Sequence, residues 1–323
     1  MVPAQLEAVG LTKRYGNRTA VDGLSFTARQ GEVVGLLGPN GSGKTTTIRL
    51  ISTMLAATSG TFSVAGVPST QPTEIRRRIG VLPESTGYPG HQTGTEYLRY
   101  HARLFGLAPA DATGVVRRLL TDVDLAQRAS SRISTYSRGM RQRLGIARAL
   151  VNDPAVVLLD EPTLGLDLAG QRQVLTIIRE IAARRGTTVI LSTHTLPEVE
   201  EICTRVLILH NGKTLASGTF AEVTGTVAIQ RCAQMRVPVE LVGRARDALA
   251  GVAGLTVEPV GERPDILRLT RHDGRVARQD GPDVGMNEPL RVVLGAAVPV
   301  LSFEVEGARF SDAFLSLTGE GVR

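Results

Sequence analysis

Gly38-Pro39-Asn40-Gly41-Ser42-Gly43-Lys44-Thr45, with Thr46 directly behind it, is the stretch on which the fold turns. It fills every fixed position of the pattern GxxxxGK[ST], between an apolar run over residues 32–37 and a helix expected over residues 44–52. Glycines at this spacing let backbone N–H groups turn inward around phosphate oxygens, and the helix start adds positive potential behind them. Lys44 is placed to reach the β- and γ-phosphates, and the Thr45 hydroxyl to ligate Mg²⁺. A glycine-rich turn with a chance lysine would not explain so full a match in a strand-to-helix setting. A phosphate loop alone leaves kinase, GTPase, helicase and transporter motor open.

Further along, Val156-Val157-Leu158-Leu159 is an apolar run ending in Asp160 and Glu161, as a buried strand with two carboxylates at its tip should be. Asp160 can hold Mg²⁺ as a second acidic anchor beside Thr45. Glu161 can accept a proton from attacking water. The first half alternates strands and helices throughout, the pattern of an α/β domain with a largely parallel sheet. Strands are expected at 6–11, 24–28, 79–82, 188–192 and 205–210. Helices are expected at 96–123 with a break near Pro109, and at 137–150, 169–183 and 196–202.

The character changes near Val223. Strands at 237–241, 255–260, 266–270 and 301–305 alternate with helices at 244–250, 289–297 and 310–318. The strand–helix–strand–strand–helix–strand order is ferredoxin-like and predicts a small α+β domain. Residues 271–286, rich in Gly, Asp and Arg, read as a loop.

At 323 residues the chain suits two domains. No apolar run approaches the roughly 18 residues that span a bilayer. The N-terminus, MVPAQLEAVG, lacks the basic and apolar regions of a secretory signal, so the chain is expected in the cytoplasm. Cys203 and Cys232 stand far apart and form no CxxC pair, which argues against a disulfide or metal site. The net charge is +6, but its basic residues are scattered, only three of them lysines, and aromatics make up only 4%. Without a stacking platform, no nucleic-acid partner is expected.

After Glu161 the sequence continues Pro162-Thr163-Leu164-Gly165-Leu166-Asp167, and the whole string resembles the Walker B motif and D-loop of ATP-binding-cassette ATPases. Tyr136-Ser137-Arg138-Gly139-Met140, opening a helix, resembles that family's signature motif, usually Leu-Ser-Gly-Gly-Gln. Taken alone, Ser-x-Gly is an ordinary helix cap; it gains meaning from lying between Lys44 and Asp160 in the family's order. Ser192-Thr193-His194 resembles the strand end where the family keeps a γ-phosphate-contacting histidine, although a lone His is more often structural. Tyr15 stands where the family stacks an aromatic ring on adenine; a surface turn tyrosine is the plainer alternative.

Two departures stand out. The family usually has glutamine in the sensor loop after the strand at 79–82; here Pro83-Glu84 follows, with Gln92 a distant fallback. A carboxylate can bind Mg²⁺ but cannot donate a hydrogen bond. Arg138 and Met140 replace Gly and Gln in the signature. The ending around residues 307–319 resembles drug exporters of the daunorubicin-resistance type, a group that shares both departures.

The resemblance covers residues 6 to about 222. It implies a P-loop NTPase cassette over 1–222, with mixed sheet and a helical subdomain at about 85–150, followed by a C-terminal accessory domain over 223–323. It implies ATP and Mg²⁺ as cofactors, with Thr45, Glu84 and Asp160 at the metal and Glu161 and His194 in hydrolysis. It further implies a homodimer in which Ser137 and Gly139 of one chain complete the ATP site of the other. The expected partner is a separately encoded membrane permease, with the ATPase peripheral on the inner face of the membrane and export of drugs, antibiotics or lipid-like compounds. A soluble translation or DNA-repair ATPase is the alternative. The single cassette and the lack of a coiled-coil insertion speak against it.

Overall fold

Strands buried on both faces carry apolar centres, and three runs of this chain do. In a computed structural model, which describes residues 4–226, 231–261, 263–271, 284–306 and 310–318, they are β3 (Val33–Leu37), β7 (Val156–Asp160) and β8 (Thr188–Thr193), buried along their whole length. With β6 (Ile79–Leu82), β9 (Arg205–His210) and β10 (Lys213–Gly218) they form a six-stranded sheet in the order β10-β9-β3-β8-β7-β6, parallel except for β10. A second, antiparallel sheet is built from β1 (Ala4–Tyr15), β2 (Arg18–Arg29), β4 (Ser59–Val64) and β5 (Val67–Pro68). One apolar cluster joins Leu6, Leu24 and Phe62 of this sheet to Leu36, Leu158 and Ile190 of the parallel one, with Ile48 of α1 (Lys44–Ile51) between them.

Helix α2 (Pro72–Arg78) leads into β6. The helical segment then comprises α3 (Gly94–Leu104), α4 (Pro109–Asp122) and α5 (Arg138–Ala149). Thr93 starts α3 with a reciprocal capping box to Glu96. Helices α6 (Leu168–Arg185) and α7 (Leu196–Ile202) complete the first unit, which extends to Thr219.

The second unit, Phe220–Arg323, has its own sheet. It begins with α8 (Phe220–Thr226) and continues β11 (Arg231–Arg236), α9 (Val242–Leu249), β12 (Leu255–Val260), β13 (Arg263–Arg271), α10 (Val284–Gly295), β14 (Ser302–Glu306) and α11 (Phe310–Thr318). The antiparallel order β12-β13-β11-β14 is the ferredoxin-like arrangement. Ala233, Met235, Leu267 and Leu269 pack against Ala245, Leu249 and Val293 on one face.

The expected strand at 237–241 is a correction. The strand is β11, and residues Val239–Leu241 form a single 3₁₀ turn. Pro238 has no N–H for a sheet ladder, which ends the strand before it. Of the expected loop at 271–286, residues 272–283 lie outside the described residues, while Arg271 ends β13 and 284–286 open α10; the flanks of the tail helix also lie outside the described residues.

Candidate nucleotide site

The loop between β3 and α1 is glycine-bound for steric reasons. Gly38 and Gly43 have φ of 149° and 111°. A Cβ on Gly38 would stand 2.1 Å from the Leu209 carbonyl oxygen, and one on Gly43 2.6 Å from that of Ala20. Asn40 and Gly41 form the exposed tip, and Thr45 and Thr46 lie half-buried in the first turn of α1. Ser42 Oγ is buried without a hydrogen-bond partner, an orphan that a phosphate oxygen would satisfy.

Lys44, 6% exposed, folds its Nζ back to donate to the carbonyls of Gly38 at 2.6 Å and Pro39 at 3.2 Å. Burial pulls its pKa down, against the attraction of Glu161, Asp160 and Glu84. The backbone carbonyl of Gln92 accepts from Ile133 N–H, and its buried Oε1 has no hydrogen-bond partner.

Parallel pairing of β7 with β8 brings the acidic strand tip to the loop. Asp160 Oδ1 accepts from Thr45 Oγ1 at 3.1 Å and from Ser192 Oγ at 2.6 Å. Ser192 Oγ also accepts from Glu161 N–H at 3.0 Å. Glu161 takes a left-handed φ of 49°, a strained setting for a non-glycine residue of the kind that gathers at functional sites. Its carboxylate lies 4.0 Å from Lys44 Nζ and 3.1 Å from His194 Nδ1. Burial raises its pKa above the ordinary carboxylate range, opposed by His194 and Lys44.

Tyr15, 47% exposed, ends β1 and pairs with Arg18 across a tight hairpin, and the Arg18 guanidinium lies beside Gly41. Ser137 caps α5, accepting from Met140 N–H at 3.2 Å, with Gly139 in the first turn. Among the described residues no hydrogen bond ties Ser137 or Gly139 to the phosphate loop of their own chain. The Arg138 guanidinium packs over Gly165, where a Cβ would meet its Cζ at 2.4 Å.

Sequence reading missed two members. Ser192 was legible only as a strand end, yet it bridges Asp160 and Glu161. Glu198, in α7, accepts from both Thr163 and Thr193.

The donor set suits Mg-ATP: a glycine cradle with an orphan hydroxyl, a buried lysine, and adjoining hard oxygens on Thr45 and Asp160. The ABC transporter family matches residues 21–164. The Nod factor export ATP-binding protein I of Ralstonia nicotianae is 34% identical over 98% of this chain and 95% of its own. The chain belongs to the ABC transporter family. The linearmycin resistance ATP-binding protein LnrL of Bacillus subtilis is 31% identical over 98% of this chain and 99% of its own. Among solved structures, an ATP-binding subunit of an ABC transporter superposes with a TM-score of 0.62 at 33% identity, over 69% of this chain and 92% of its own. CbiO1 of Clostridium perfringens, part of the transporter complex cbiONQ, gives 0.62 at 26% identity, over 69% and 94%.

The chain is thus the ATP-binding, ATP-hydrolysing subunit of an ABC transporter. Relatives that match along its whole length are transporter subunits, which decides against the soluble translation- or repair-factor alternative. No helix among the described residues is long and apolar enough to cross a membrane.

Proposed function

We propose that this ABC ATPase powers an exporter of drugs, antibiotics or lipid-like compounds, as a homodimer docked on a separately encoded permease at the inner face of the membrane. The observation that carries the hydrolytic part is the convergence of Lys44, Thr45, Asp160, Glu161 and His194, from three different segments, within hydrogen-bond or ion-pair reach of one another. Lys44 and the loop N–H groups hold the triphosphate, and Tyr15 lies against the base. Thr45, Asp160 and Glu84 would hold Mg²⁺, which would neutralise phosphate charge. Glu161 accepts the proton of the attacking water, and its raised pKa makes it a better base than a surface carboxylate. His194 hydrogen-bonds Glu161 and orients it.

Ser137 and Gly139 have no partner in their own phosphate loop because they serve the other protomer. The Ser137 hydroxyl and the start of α5 meet the γ-phosphate across an isologous interface, so the two sites form together. Export follows from the names of the full-length relatives, which act in Nod factor export and linearmycin resistance. The permease is assigned to a groove of about 520 Å³ lined by Arg77, Phe105, Leu107, Val115 and Arg118, next to exposed Leu104. Behind α3, Arg148 donates to the Val81 carbonyl at 2.9 Å, just before the sensor loop, and to the Tyr97 hydroxyl at 3.4 Å.

Mixed dimers test the composite site. Ser137→Arg should bind ATP as a monomer but fail to dimerise with it, and mixed with Glu161→Gln it should form at most one competent site. Normal ATP-driven dimerisation of Ser137→Arg, read by light scattering, would refute the trans arrangement.

A further inference from the structure

Glu198 is a buried carboxylate that the proposed chemistry leaves unused. It sits in the first turn of α7 and is 5% exposed. An acid there suits the positive end of a helix, but that benefit does not require burial. Glu198 points into the protein, where its Oε2 accepts from Thr163 Oγ1 at 2.8 Å and from Thr193 Oγ1 at 2.9 Å. Thr193 Oγ1 in turn accepts from the backbone N–H of Thr195 at 3.1 Å. Both threonines that donate to it are buried.

Burying a carboxylate is expensive, and glutamine has nearly the same shape without the charge. A carboxylate, however, only accepts, so it takes two hydroxyls without turning a donor toward either. The hydroxyls are thereby fixed in direction, and Thr193 is left free to accept from Thr195. The bracketed residues are the reacting pair: Thr163 follows Glu161 by two positions, and Thr193 and Thr195 flank His194.

We propose that Glu198 is a positioning residue that sets the Glu161–His194 separation, clamping the loop behind the base and Thr193 before the histidine to one oxygen atom, with Thr195 after it held through Thr193. This inference rests on the reading of Glu161 as base and His194 as its partner. A buried network with every member satisfied rigidifies what it joins, and displacement of a catalytic group by about 1 Å costs on the order of a hundredfold in rate.

The test uses the full chain with two readouts. In nucleotide-free protein, the imidazole ¹⁵N resonance of His194, assigned by its disappearance in His194→Ala, should move in Glu198→Ala, as it should in Glu161→Gln. With MgATP, Glu198→Ala should lose on the order of a hundredfold in kcat while KM stays within about twofold, and Glu198→Gln should recover part of the loss. An unmoved resonance, or wild-type kcat, overturns the proposal. If the alanine variant does not fold, Thr163→Val removes one arm of the clamp and is judged on the same two readouts. Full turnover in Glu161→Gln would instead strike the base assignment, while the nucleotide-free resonance would still judge the clamp.

Discussion

The two units of this chain use glycine and sheet for different ends. In the first, the central strands are covered on both faces, and the chain turns back at Gly38 and Gly43 with carbonyl oxygens 2.1 and 2.6 Å from where a side chain would begin. In the second, an antiparallel sheet buries Ala233, Met235, Leu267 and Leu269 on one face and leaves the other polar, and the left-handed glycines Gly254 and Gly261 have nothing within 4 Å. At Gly38 and Gly43 the crowding belongs to a loop shaped for a ligand. Open turns in the second only reverse the chain. The same residue type is therefore indispensable in one place and merely convenient in the other.

Substitution of these glycines should separate the two most strongly. Gly38→Ala should abolish ATP binding in a titration with a fluorescent analogue, because the added carbon has no space and the loop must deform. Gly254→Ala, at φ 72° with open surroundings, should cost only about 1–2 kcal/mol for the left-handed conformation and leave ATP affinity unchanged. Comparable ATP affinity in the two variants would remove the distinction.

The boundary between the units is the next point of attack. We propose that a chain ending at Thr219 retains the cassette and binds ATP within about threefold of the full chain. Calorimetry of the full chain should show two transitions, of which Mg-ATP raises one by mass action. One transition shifted as a whole, or loss of binding on truncation, would show that the tail is part of the motor.

A smaller effect concerns the second unit alone. Arg236 donates to Asp265 at 2.7 Å and holds its carboxyl below the ordinary range. A depressed carboxylate pKa contributes stability that is present above the unfolded-state value and lost as pH falls through the folded one. The melting temperature of the second unit should therefore drop slightly on acidification below about pH 4, and Asp265→Asn should flatten that part of the profile. An unchanged acid limb in Asp265→Asn would show that the pair contributes nothing.

What was legible in the sequence follows the same divide. Strands β3 and β7 announce themselves as apolar runs and β8 by its Val189-Ile190-Leu191 centre, and Lys44, Asp160 and Glu161 by the chemistry that fixes their spacing. Strand β4 went unread because it is half-exposed and has Gly60 as its second residue, which is needed where the backbone of Gly10 comes within 2.2 Å of a would-be side chain. β10 is also half-exposed and short. The strand expected at 237–241 was drawn by Val237 and Leu241, but Pro238 forbids the ladder there. Glu198 reads locally as an acid in a first helical turn. Only the pairing of β8 beside β7 gives it Thr163 and Thr193 to hold.

The central claim is that Glu161 is the base of an ATP hydrolase, and phosphate release from Glu161→Gln tests it most directly. The account predicts ATP binding at wild-type affinity, an isolable ATP-bound dimer, and turnover reduced roughly 10²–10⁴-fold. Phosphate release at the wild-type rate would contradict it.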